Sequence, residues 1–408
     1  MTETVSTKPG VTFPPVRRCP VDAPEEYAEL RAQGPLVKVT TMTGDAVWWV
    51  TKHPIARAIL NDTRFSSDRR KDGFPLFFAA DERSRDNIRR QPPFIMIGMD
   101  GEEHSRTRRS AIGEFTVKRL ASLRPRIQQI VDDAIDAMLA REERPVDLVQ
   151  ALSLPVPSLV ICELLGVPYA DHDFFQERSG RMLRRTTKAD EREALVTEMR
   201  EYLGKLVDEK QAQPEDDMIS RLIAKQQETG VLDRQELVGM SFLLLIAGHE
   251  TTANMISLGT IGFLQNPEQL DAIKADPAKI PMAVEEMLRY FSIADTVTRV
   301  ATEDVEIGGV TIKAGEGVVA STMAANRDDE TFAGADELNV DRGARHHVAF
   351  GYGPHQCLGQ NLARQELEIV FETLFRRVPT LRLAASLDEI PFKDDGAVYG
   401  AYQLPVTW

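Results

Sequence analysis

Cysteine is scarce in this chain, which has three of them among 408 residues. They are Cys19, Cys162 and Cys357, an odd number at wide spacing. Such a set excludes a disulfide framework and a four-cysteine zinc site, and it is typical of a protein kept in a reducing compartment.

Positive charge and long apolar runs are also limited. Lysine and arginine number 49 against 63 aspartates and glutamates, so the formal net charge is −14. That field repels phosphate backbones and anionic membrane surfaces, and we expect no nucleic-acid partner. No stretch reaches the roughly 18 uncharged apolar residues of a spanning helix, and residues 1–22 lack the apolar segment of a secretion signal. We therefore expect a cytoplasmic protein without integral membrane association.

Helical periodicity dominates the rest of the sequence. Seven apolar residues within 127–139 recur at spacings of three and four, which predicts an amphipathic core helix. Strand-like segments are fewer and lie apart, at 37–50, at 296–321 and in the last two dozen residues. In EIGGVTI, Gly308 and Gly309 separate two short β-branched runs, which predicts a tight hairpin. We predict a mainly α protein with small β-sheets (α+β).

One long segment, residues 237–264, is apolar nearly all round, which is typical of a buried helix. The polar run HETT at 249–252 interrupts it, and Gly248 precedes that run, although glycine costs about 1 kcal/mol relative to alanine in a helix interior. Buried polar groups need partners or a function. From this segment alone, a hydrogen-bonded polar plug in a long core helix is the interpretation we favour.

The most informative stretch is FGYGPHQCLGQNLARQE at residues 350–366, a glycine-rich loop followed by a helix. Cys357 stands at the helix start, where free N–H groups and the positive end of the dipole are expected to lower the pKa of its thiol. Gly353 and Gly359 carry no Cβ, so we expect that a flat and bulky group can approach the sulfur.

Two other interpretations of Cys357 stay open at this point. A lone cysteine is most often a buried structural residue. A cysteine nucleophile would need a histidine, and the candidates are His346, His347 and His355. The spacing shows no third group that would orient such a histidine.

Four sequence blocks resemble the cytochrome P450 haem-thiolate monooxygenases. The first, which resembles the cysteine-ligand loop, contains Phe350, Gly353, His355, Cys357 and Gly359. AGHETT at 247–252 resembles the oxygen-activating groove of the central helix, EEMLR at 285–289 the Glu-x-x-Arg pair, and HSRTRR at 104–109 the propionate-binding helix. The segments GQNLAR and LPVTW resemble sequences of the soluble actinobacterial branch of the family, whose members hydroxylate macrolides, secosteroids and statin-like polyketides.

The resemblance implies the cytochrome P450 fold, a helix-rich core that sandwiches haem beside a minor β subdomain. It covers the chain from about residue 20, and the sequence shows no linker or repeat beyond it, so we expect an N-terminal extension at 1–20 and a single domain at 21–408. It also implies haem b (iron protoporphyrin IX) with the Cys357 thiolate as axial ligand and sole protein ligand to the metal. A thiolate ligand favours O–O cleavage.

The family's functional positions carry over onto this sequence residue by residue. The propionate-binding positions correspond to His104, Arg108, Arg299 and His355. Further cofactor contacts correspond to Ala247, Gly248, Phe350, Gly353 and Gly359. Glu250 and Thr251, an acid beside an alcohol, are the expected catalytic residues that relay protons, and Gly248 is expected to leave room for dioxygen. A buried structural triad that anchors the cysteine loop is expected from Glu286, Arg289 and Arg342.

Family position also predicts the walls of the substrate pocket, which are mostly apolar. They are Phe94, Ile95, Ile97, Leu243, Ala247, Ile293, Thr296, Val297, Val398 and Tyr399. Such walls indicate a mid-sized hydrophobic substrate, which we expect to be a secondary metabolite, polyketide, statin-like or steroid-like molecule.

The implied function is a monooxygenase that inserts one oxygen atom of O2 into a C–H bond of that substrate. No second redox domain fits in the chain, so electrons are expected from a ferredoxin with its reductase and NAD(P)H. Arg109 and Arg364 are candidate docking residues. We expect a monomer. The alternatives are a peroxide-dependent haem peroxygenase, which typically replaces the acid and alcohol, and a non-catalytic haem protein that binds a ligand, which has no need of them.

Overall fold

The computed structural model describes residues 12–78, 82–90 and 95–408. The predicted pocket residue Phe94 lies outside these ranges, as do the first eleven residues of the predicted N-terminal extension.

Helices make up most of the described chain, which agrees with the predicted class. They are α1 (Glu25–Gln33), α2 (His53–Asn61), α3 (Glu82–Arg90), α4 (Gly101–Ala111), α5 (Val117–Leu139), α6 (Pro155–Leu165), α7 (His172–Met182), α8 (Ala189–Ala212), α9 (Met218–Thr229), α10 (Arg234–Gln265), α11 (Pro267–Ala275), α12 (Ile280–Phe291), α13 (Thr322–Asn326) and α14 (Gln360–Arg377).

The strands are short and form small sheets. They are β1 (Leu36–Thr40), β2 (Ala46–Val50), β3 (Phe65–Ser66), β4 (Val146–Asp147), β5 (Thr296–Ala301), β6 (Val305–Ile307), β7 (Val310–Ile312), β8 (Gly317–Ser321), β9 (Arg382–Leu383) and β10 (Pro405–Thr407). A five-stranded sheet has the order β1-β2-β8-β5-β3, a second sheet has the order β4-β10-β9, and β6 pairs with β7. In the larger sheet β2 and β8 are parallel, whereas the other neighbours are antiparallel. Seven strands lie in the three segments that the sequence predicts, whereas the two-residue strands β3, β4 and β9 lie outside them.

The predicted hairpin is confirmed. Ile307 of β6 pairs with Val310 of β7, and the two residues of the turn, Gly308 and Gly309, have φ of 57° and 82°. Both values lie in the left-handed region that glycine adopts without strain, which is the reason for two glycines in this turn.

Helix α10 is the centre of the molecule and confirms the predicted buried helix. The Asp233 side chain accepts from the Glu236 N–H at 2.8 Å, and the Glu236 side chain accepts from the Asp233 N–H at 2.8 Å, which caps its first turn. The helix packs against α6, α8, α12 and α14. The other predicted helix lies in α5, which packs on α14 and α6 and buries Ile127, Val131 and Ile135.

These contacts give a mainly α protein with small β-sheets, and the predicted fold class is confirmed. The largest hydrophobic core joins α5, α6, α8, α10, α12 and α14. Across the described residues, no helix has both the length and the apolar content needed to cross a membrane.

Glycines on α10 permit close approach of the neighbouring helices. A Cβ at Gly248 would lie 2.7 Å from the Ile161 side chain of α6, and one at Gly259 would lie 2.4 Å from the Phe371 ring of α14. The missing Cβ of Gly248 thus makes room for Ile161, and the opening for dioxygen expected there stays a prediction.

Gly259→Ala should lower the free energy of unfolding by up to about 2 kcal/mol. Alanine gains about 1 kcal/mol of helix propensity, but forcing a methyl group against the buried Phe371 ring costs about 1–3 kcal/mol. Urea unfolding followed by circular dichroism measures the difference. The control is Gly113→Ala, whose Cβ would meet nothing within 4 Å and should stay within about 0.5 kcal/mol of the parent. An increase in the free energy of unfolding of Gly259→Ala would contradict this prediction, because it would show that α14 moves aside without losing stability.

Candidate active site

One stripe of α10 borders open space inside the protein. Leu243, Ala247 and Thr251 follow one another at intervals of four residues and so share a face of the helix. Ala247 is exposed, and Leu243 and Thr251 are half-buried, whereas Leu244, Leu245 and the residues at 249–250 are buried. An exposed alanine in the middle of the most buried helix indicates a cavity along this face.

Cys357 also borders open space. The residue is exposed, yet burial is the main influence on its thiol and raises the pKa. Both statements hold for a side chain that protein surrounds on most sides and that has a gap beside it. The Cys357 N–H donates to the carbonyl of Phe350 at 2.9 Å, which fixes the loop around the sulfur.

The predicted lowering of the Cys357 pKa is wrong in its net direction. A hydrogen bond from the backbone of Gly359 and the charges of Arg108 and Arg364 do lower the pKa, as the helix-start argument expects. Burial outweighs them and raises the pKa above that of a free thiol. A positive group beside the sulfur is therefore needed to keep it as a thiolate.

The two glycines of the cysteine loop have different roles. Gly359 leaves an open side, because a Cβ there would meet only the Phe115 ring, at 4.0 Å. Gly353 has φ of +71°, and its Cβ would lie 2.6 Å from the Leu60 carbonyl oxygen of α2. The expected access for a flat group is thus supported at Gly359, whereas Gly353 is needed for its backbone conformation and its packing on α2.

Four basic side chains meet beside the cysteine loop. The rings of His104 on α4 and His355 have centroids 3.9 Å apart. Burial, followed by the charges of Arg299, His104 and Arg108, lowers the pKa of His355 to about 3. Burial lowers the pKa of Arg299, on β5, to about 10. The four groups predicted from the family's propionate contacts therefore form one cluster, in which burial and the charges of Arg108 and Arg299 favour the neutral form of both histidines.

This cluster is short of acceptors. Burial and the Arg108 charge lower the pKa of His104, and its Nε2 atom is buried without a hydrogen-bond partner. The nearby carboxylate of Asp100 offsets part of the charge, but it accepts from the Ser66 hydroxyl and, at 2.8 Å, from the Ser67 N–H. A buried ring nitrogen without a partner, beside the two guanidinium groups of Arg108 and Arg299, fits a ligand that carries carboxylates.

Together these features fit haem b. The two propionates supply the missing negative charge, the gap beside Cys357 admits the ring, and the alanine-centred face of α10 supplies an apolar wall. Phe350 adds an aromatic ring to the loop, lying 4.7 Å from the Arg364 guanidinium.

Both predicted relay residues form hydrogen bonds within the protein. Glu250 is buried, and the ammonium of Lys393 donates to its Oε2 at 3.0 Å. The Thr251 hydroxyl donates to the Ala247 carbonyl at 2.7 Å. Sequence reasoning missed Lys393, which lies 143 residues from Glu250 and has no motif around it. The contact with Lys393 fixes the carboxyl group of Glu250 one residue from the alcohol that faces the cavity.

The predicted triad is a single hydrogen-bonded cluster. Arg289 donates to both oxygens of Glu286 at 2.8 Å, and both side chains are fully buried. Arg342 donates from Nε to the same carboxylate at 3.1 Å. Arg289 also donates to the carbonyls of Asn326 and Ala335 at 2.8 and 2.7 Å. These bonds tie α12 to the chain that leads into the cysteine loop.

A second network beside the triad was not predicted. Glu285, next to Glu286, accepts from Arg364 of α14 at 2.7 and 3.1 Å and pairs with His347 at 3.1 Å. Burial opposes the ionisation of Glu285, but its bonds to His347 and Arg364 prevail and lower its pKa to about 2. Arg364 is thus committed to a structural pair, which leaves Arg109 as the exposed docking candidate; Arg109 pairs with Glu102 at the surface.

The predicted substrate-pocket walls fall into separate places. Leu243 and Ala247 lie on the open face of α10. The Tyr399 N–H donates to the Ile293 carbonyl at 3.0 Å, and both residues line a small cavity of about 70 Å³. Ile97, on the short helix Met96–Gly98, is 48% exposed. The half-buried remainder consists of Ile95, Thr296, Val297 and Val398.

Comparison with known proteins decides the family. The sequence pattern of cytochrome P450 matches residues 25–381. The chain belongs to the cytochrome P450 family. It is therefore a monooxygenase-type oxidoreductase, and its cofactor is haem b with a cysteine thiolate as axial ligand.

Individual relatives place this P450 in the actinobacterial branch. It is 52% identical to pentalenic acid synthase of Streptomyces avermitilis, over 98% of this chain and 100% of that protein. It is 46% identical to vitamin D3 dihydroxylase of Streptomyces griseolus, over 100% of both. The crystal structure of cytochrome P450 MoxA from Nonomuraea recticatena superposes with a TM-score of 0.90 at 60% identity, covering 98% of each chain. The predicted branch is confirmed.

Glu286→Gln should destabilise the P450 strongly. The amide cannot neutralise Arg289 and Arg342, and breaking one partner of a fully buried ion pair costs about 3–5 kcal/mol. Urea unfolding measures the loss, and soluble yield should fall with it. The matched control is Glu102→Gln, which breaks an exposed pair with Arg109 and should change stability by less than about 0.5 kcal/mol. Equal stability of the two variants would remove the triad as an anchor.

Proposed function

We propose that this P450 inserts one oxygen atom of O2 into a C–H bond of a mid-sized hydrophobic substrate, with Cys357 as the axial ligand of its haem. The observation that carries the assignment is the position of Cys357, which has an open side at Gly359 and the four basic groups beside its loop. Cys162 is buried and its pKa is raised to about 12, mainly by burial, which leaves it an inert thiol.

Bound haem supplies activation of O2 at an iron whose thiolate ligand favours O–O cleavage. The chain's own groups prepare that chemistry. The Gly359 N–H and the charges of Arg108 and Arg364 favour the thiolate of Cys357 against the effect of burial. His104, Arg108, Arg299 and His355 bind the propionates and so orient the ring.

Protons reach the distal side through Glu250 and Thr251 in this proposal. Thr251 lies on the open face of α10, and its hydroxyl can turn from the Ala247 carbonyl to donate into the cavity. Glu250 exchanges a proton with water when the contact with Lys393 opens. Retention of both the acid and the alcohol supports a monooxygenase over a peroxygenase or a non-catalytic haem protein.

The substrate class follows from the walls and the relatives. Leu243, Ala247, Ile293 and Val297 present apolar surface. Two relatives are named for vitamin D3 and for pentalenic acid. A secondary metabolite of that size, such as a polyketide, statin-like or steroid-like molecule, fits these walls.

Electrons come from a ferredoxin with its reductase and NAD(P)H in this proposal. Arg109 supports it, because its side chain is 66% exposed on α4, next to Arg108, whose charge acts on Cys357. A local basic group of this kind can guide an acidic partner although the whole chain is acidic.

Cys357→Ala should abolish the haem-thiolate type of carbon monoxide difference spectrum, because the iron loses its thiolate. The spectrum of the reduced protein measures this. Cys19→Ala and Cys162→Ala are the controls and should keep the parent spectrum. A surviving thiolate spectrum in Cys357→Ala would assign the ligand to another cysteine and overturn the proposed site.

Thr251→Ala should preserve haem content and substrate binding but lower the product formed per reducing equivalent by about tenfold or more, since the proton relay is interrupted. Peroxide should rise in proportion. Product and peroxide are quantified together with NAD(P)H consumption. Thr252→Val is the matched control, because Thr252 is 4% exposed and should leave the ratio unchanged. Parent-like coupling in Thr251→Ala would leave Thr251 as a packing residue.

A further inference from the structure

The turn at residues 391–402 lies directly on α10. The Lys393 N–H donates to the Gly400 carbonyl at 2.8 Å, which closes the turn. A Cβ at Gly400 would lie 2.1 Å from the Asn254 side-chain oxygen of α10, so the two backbones approach as closely as a glycine permits. Asn254 follows Glu250 by about one helical turn. The turn thus brings the Lys393 ammonium to Glu250, to which it donates at 3.0 Å.

The connection between α7 and α8, residues 183–188, pairs with the tip of this turn. The Arg185 N–H donates to the Asp395 carbonyl at 2.7 Å, and the Ala397 N–H donates to the Leu183 carbonyl at 2.7 Å. The residues between these two bonds face each other as an antiparallel bridge. Two segments more than 200 residues apart in sequence are therefore joined as short strands are.

The side chain of Asp395 adds two contacts to this junction. The Thr186 hydroxyl of the connection donates to its Oδ2 at 3.2 Å, and the Tyr402 hydroxyl donates to its Oδ1 at 2.7 Å. The Tyr402 ring in turn has its centroid 5.7 Å from the Lys393 Nζ, within the range of a cation–π contact. Asp395 thus joins the connection to the aromatic ring that borders Lys393.

Both oxygens of the Glu250 carboxyl group face the elements that Asp395 joins. Its Oε2 accepts from Lys393 of the turn. Its Oε1 faces α7, since a Cβ at Gly180 would lie 3.6 Å from it. Movement of the connection relative to the turn would therefore change the surroundings of the acid on both sides. A buried ion pair is sensitive to such changes, because its geometry has to offset the loss of hydration.

We propose that Asp395 is a positioning residue for the proton relay. By tying the α7–α8 connection to Tyr402, it keeps the Lys393 ammonium at the Glu250 carboxyl group. Proton transfer through Glu250 then depends on this tertiary junction as well as on α10 itself. The inference rests on the proposed function, in which Glu250 and Thr251 transfer protons.

Hydrogen–deuterium exchange of the full-length, haem-loaded protein tests the junction without any turnover. Asp395→Ala should speed amide exchange at 183–188 and 391–402 about tenfold, because two hydrogen bonds are lost. Asp395→Asn should restore the parent's exchange, since its amide oxygen accepts from Tyr402 and its amide nitrogen can donate to the Thr186 hydroxyl. Parent-like exchange in Asp395→Ala would overturn the proposal.

The product formed per NAD(P)H consumed tests the relay. Vitamin D3 and 7-ethoxycoumarin are the probes, and the one that the parent oxidises faster is used. Asp395→Ala should lower this ratio about fivefold, while haem content and the dissociation constant of the probe stay within about twofold. In a Lys393→Met background, Asp395→Ala should cause no further fall, because its effect passes through Lys393. A second, additive fall would overturn the proposal, as would a parent-like ratio in Asp395→Ala.

Thr187→Val is the matched control within the connection. The Thr187 hydroxyl donates to the Arg181 carbonyl at 2.6 Å and not to the turn. The variant should keep both the exchange at 391–402 and the product ratio of the parent. An effect equal to that of Asp395→Ala would overturn the positioning role, since any loosening of the connection would then suffice.

The carbon monoxide spectrum separates this inference from the proposed function. A thiolate-type spectrum together with a parent-like product ratio in Asp395→Ala would reject the role of Asp395 alone. Absence of that spectrum in the parent would reject the proposed haem site itself.

Discussion

Two adjacent glutamates on α12 hold the segment that carries Cys357 at both of its ends. Glu286 binds Arg342, 15 residues before the cysteine, and Glu285 binds Arg364, seven residues after it. His347 bonds to Glu285 as well, inside the same segment. Because these carboxylates are buried, their ion pairs are little screened by salt, and either loss leaves an unpaired charge in the core. The position of the sulfur therefore depends on two consecutive residues of one helix.

The interior also concentrates positive charge in a chain that is acidic overall. Near the cysteine loop, the charges of Arg108 and Arg299, together with burial, lower the pKa of His104 and His355. Folding such groups together costs free energy, which ligands with carboxylates recover on binding. Net charge is thus a poor guide to what this protein binds, because the local charge beside the cysteine loop is positive although the whole chain is acidic.

Local sequence signals predicted much of this structure. The cysteine loop, the buried α10 and the turn at Gly308 depend on residues close in sequence, and all of them are where the sequence places them. Contacts between distant residues could not be predicted in the same way. Lys393 reaches Glu250 across 143 residues, and Arg364 reaches Glu285 across 79. Two further effects depend on the three-dimensional structure and could not be predicted from the sequence. Burial decides the direction of the Cys357 pKa shift, and contact with the Ile161 side chain requires a glycine at position 248.

The turn before the C-terminus joins parts of the chain that are far apart in sequence. Its Tyr399 lies under the guanidinium of Arg17 at 3.8 Å and bonds to Ile293, while its Lys393 holds Glu250. Two side-chain contacts, Arg17 with Tyr399 and Lys393 with Glu250, therefore connect the N-terminal segment through this turn to the acid proposed to transfer protons. A recombinant version of this enzyme that begins after residue 17 would lose the contact of Arg17 with Tyr399. An electron donor fused at that point would disturb the same contact, so both changes at the N-terminus would also affect the turn. For protein engineering, the C-terminus and the N-terminal segment have to be treated as one unit.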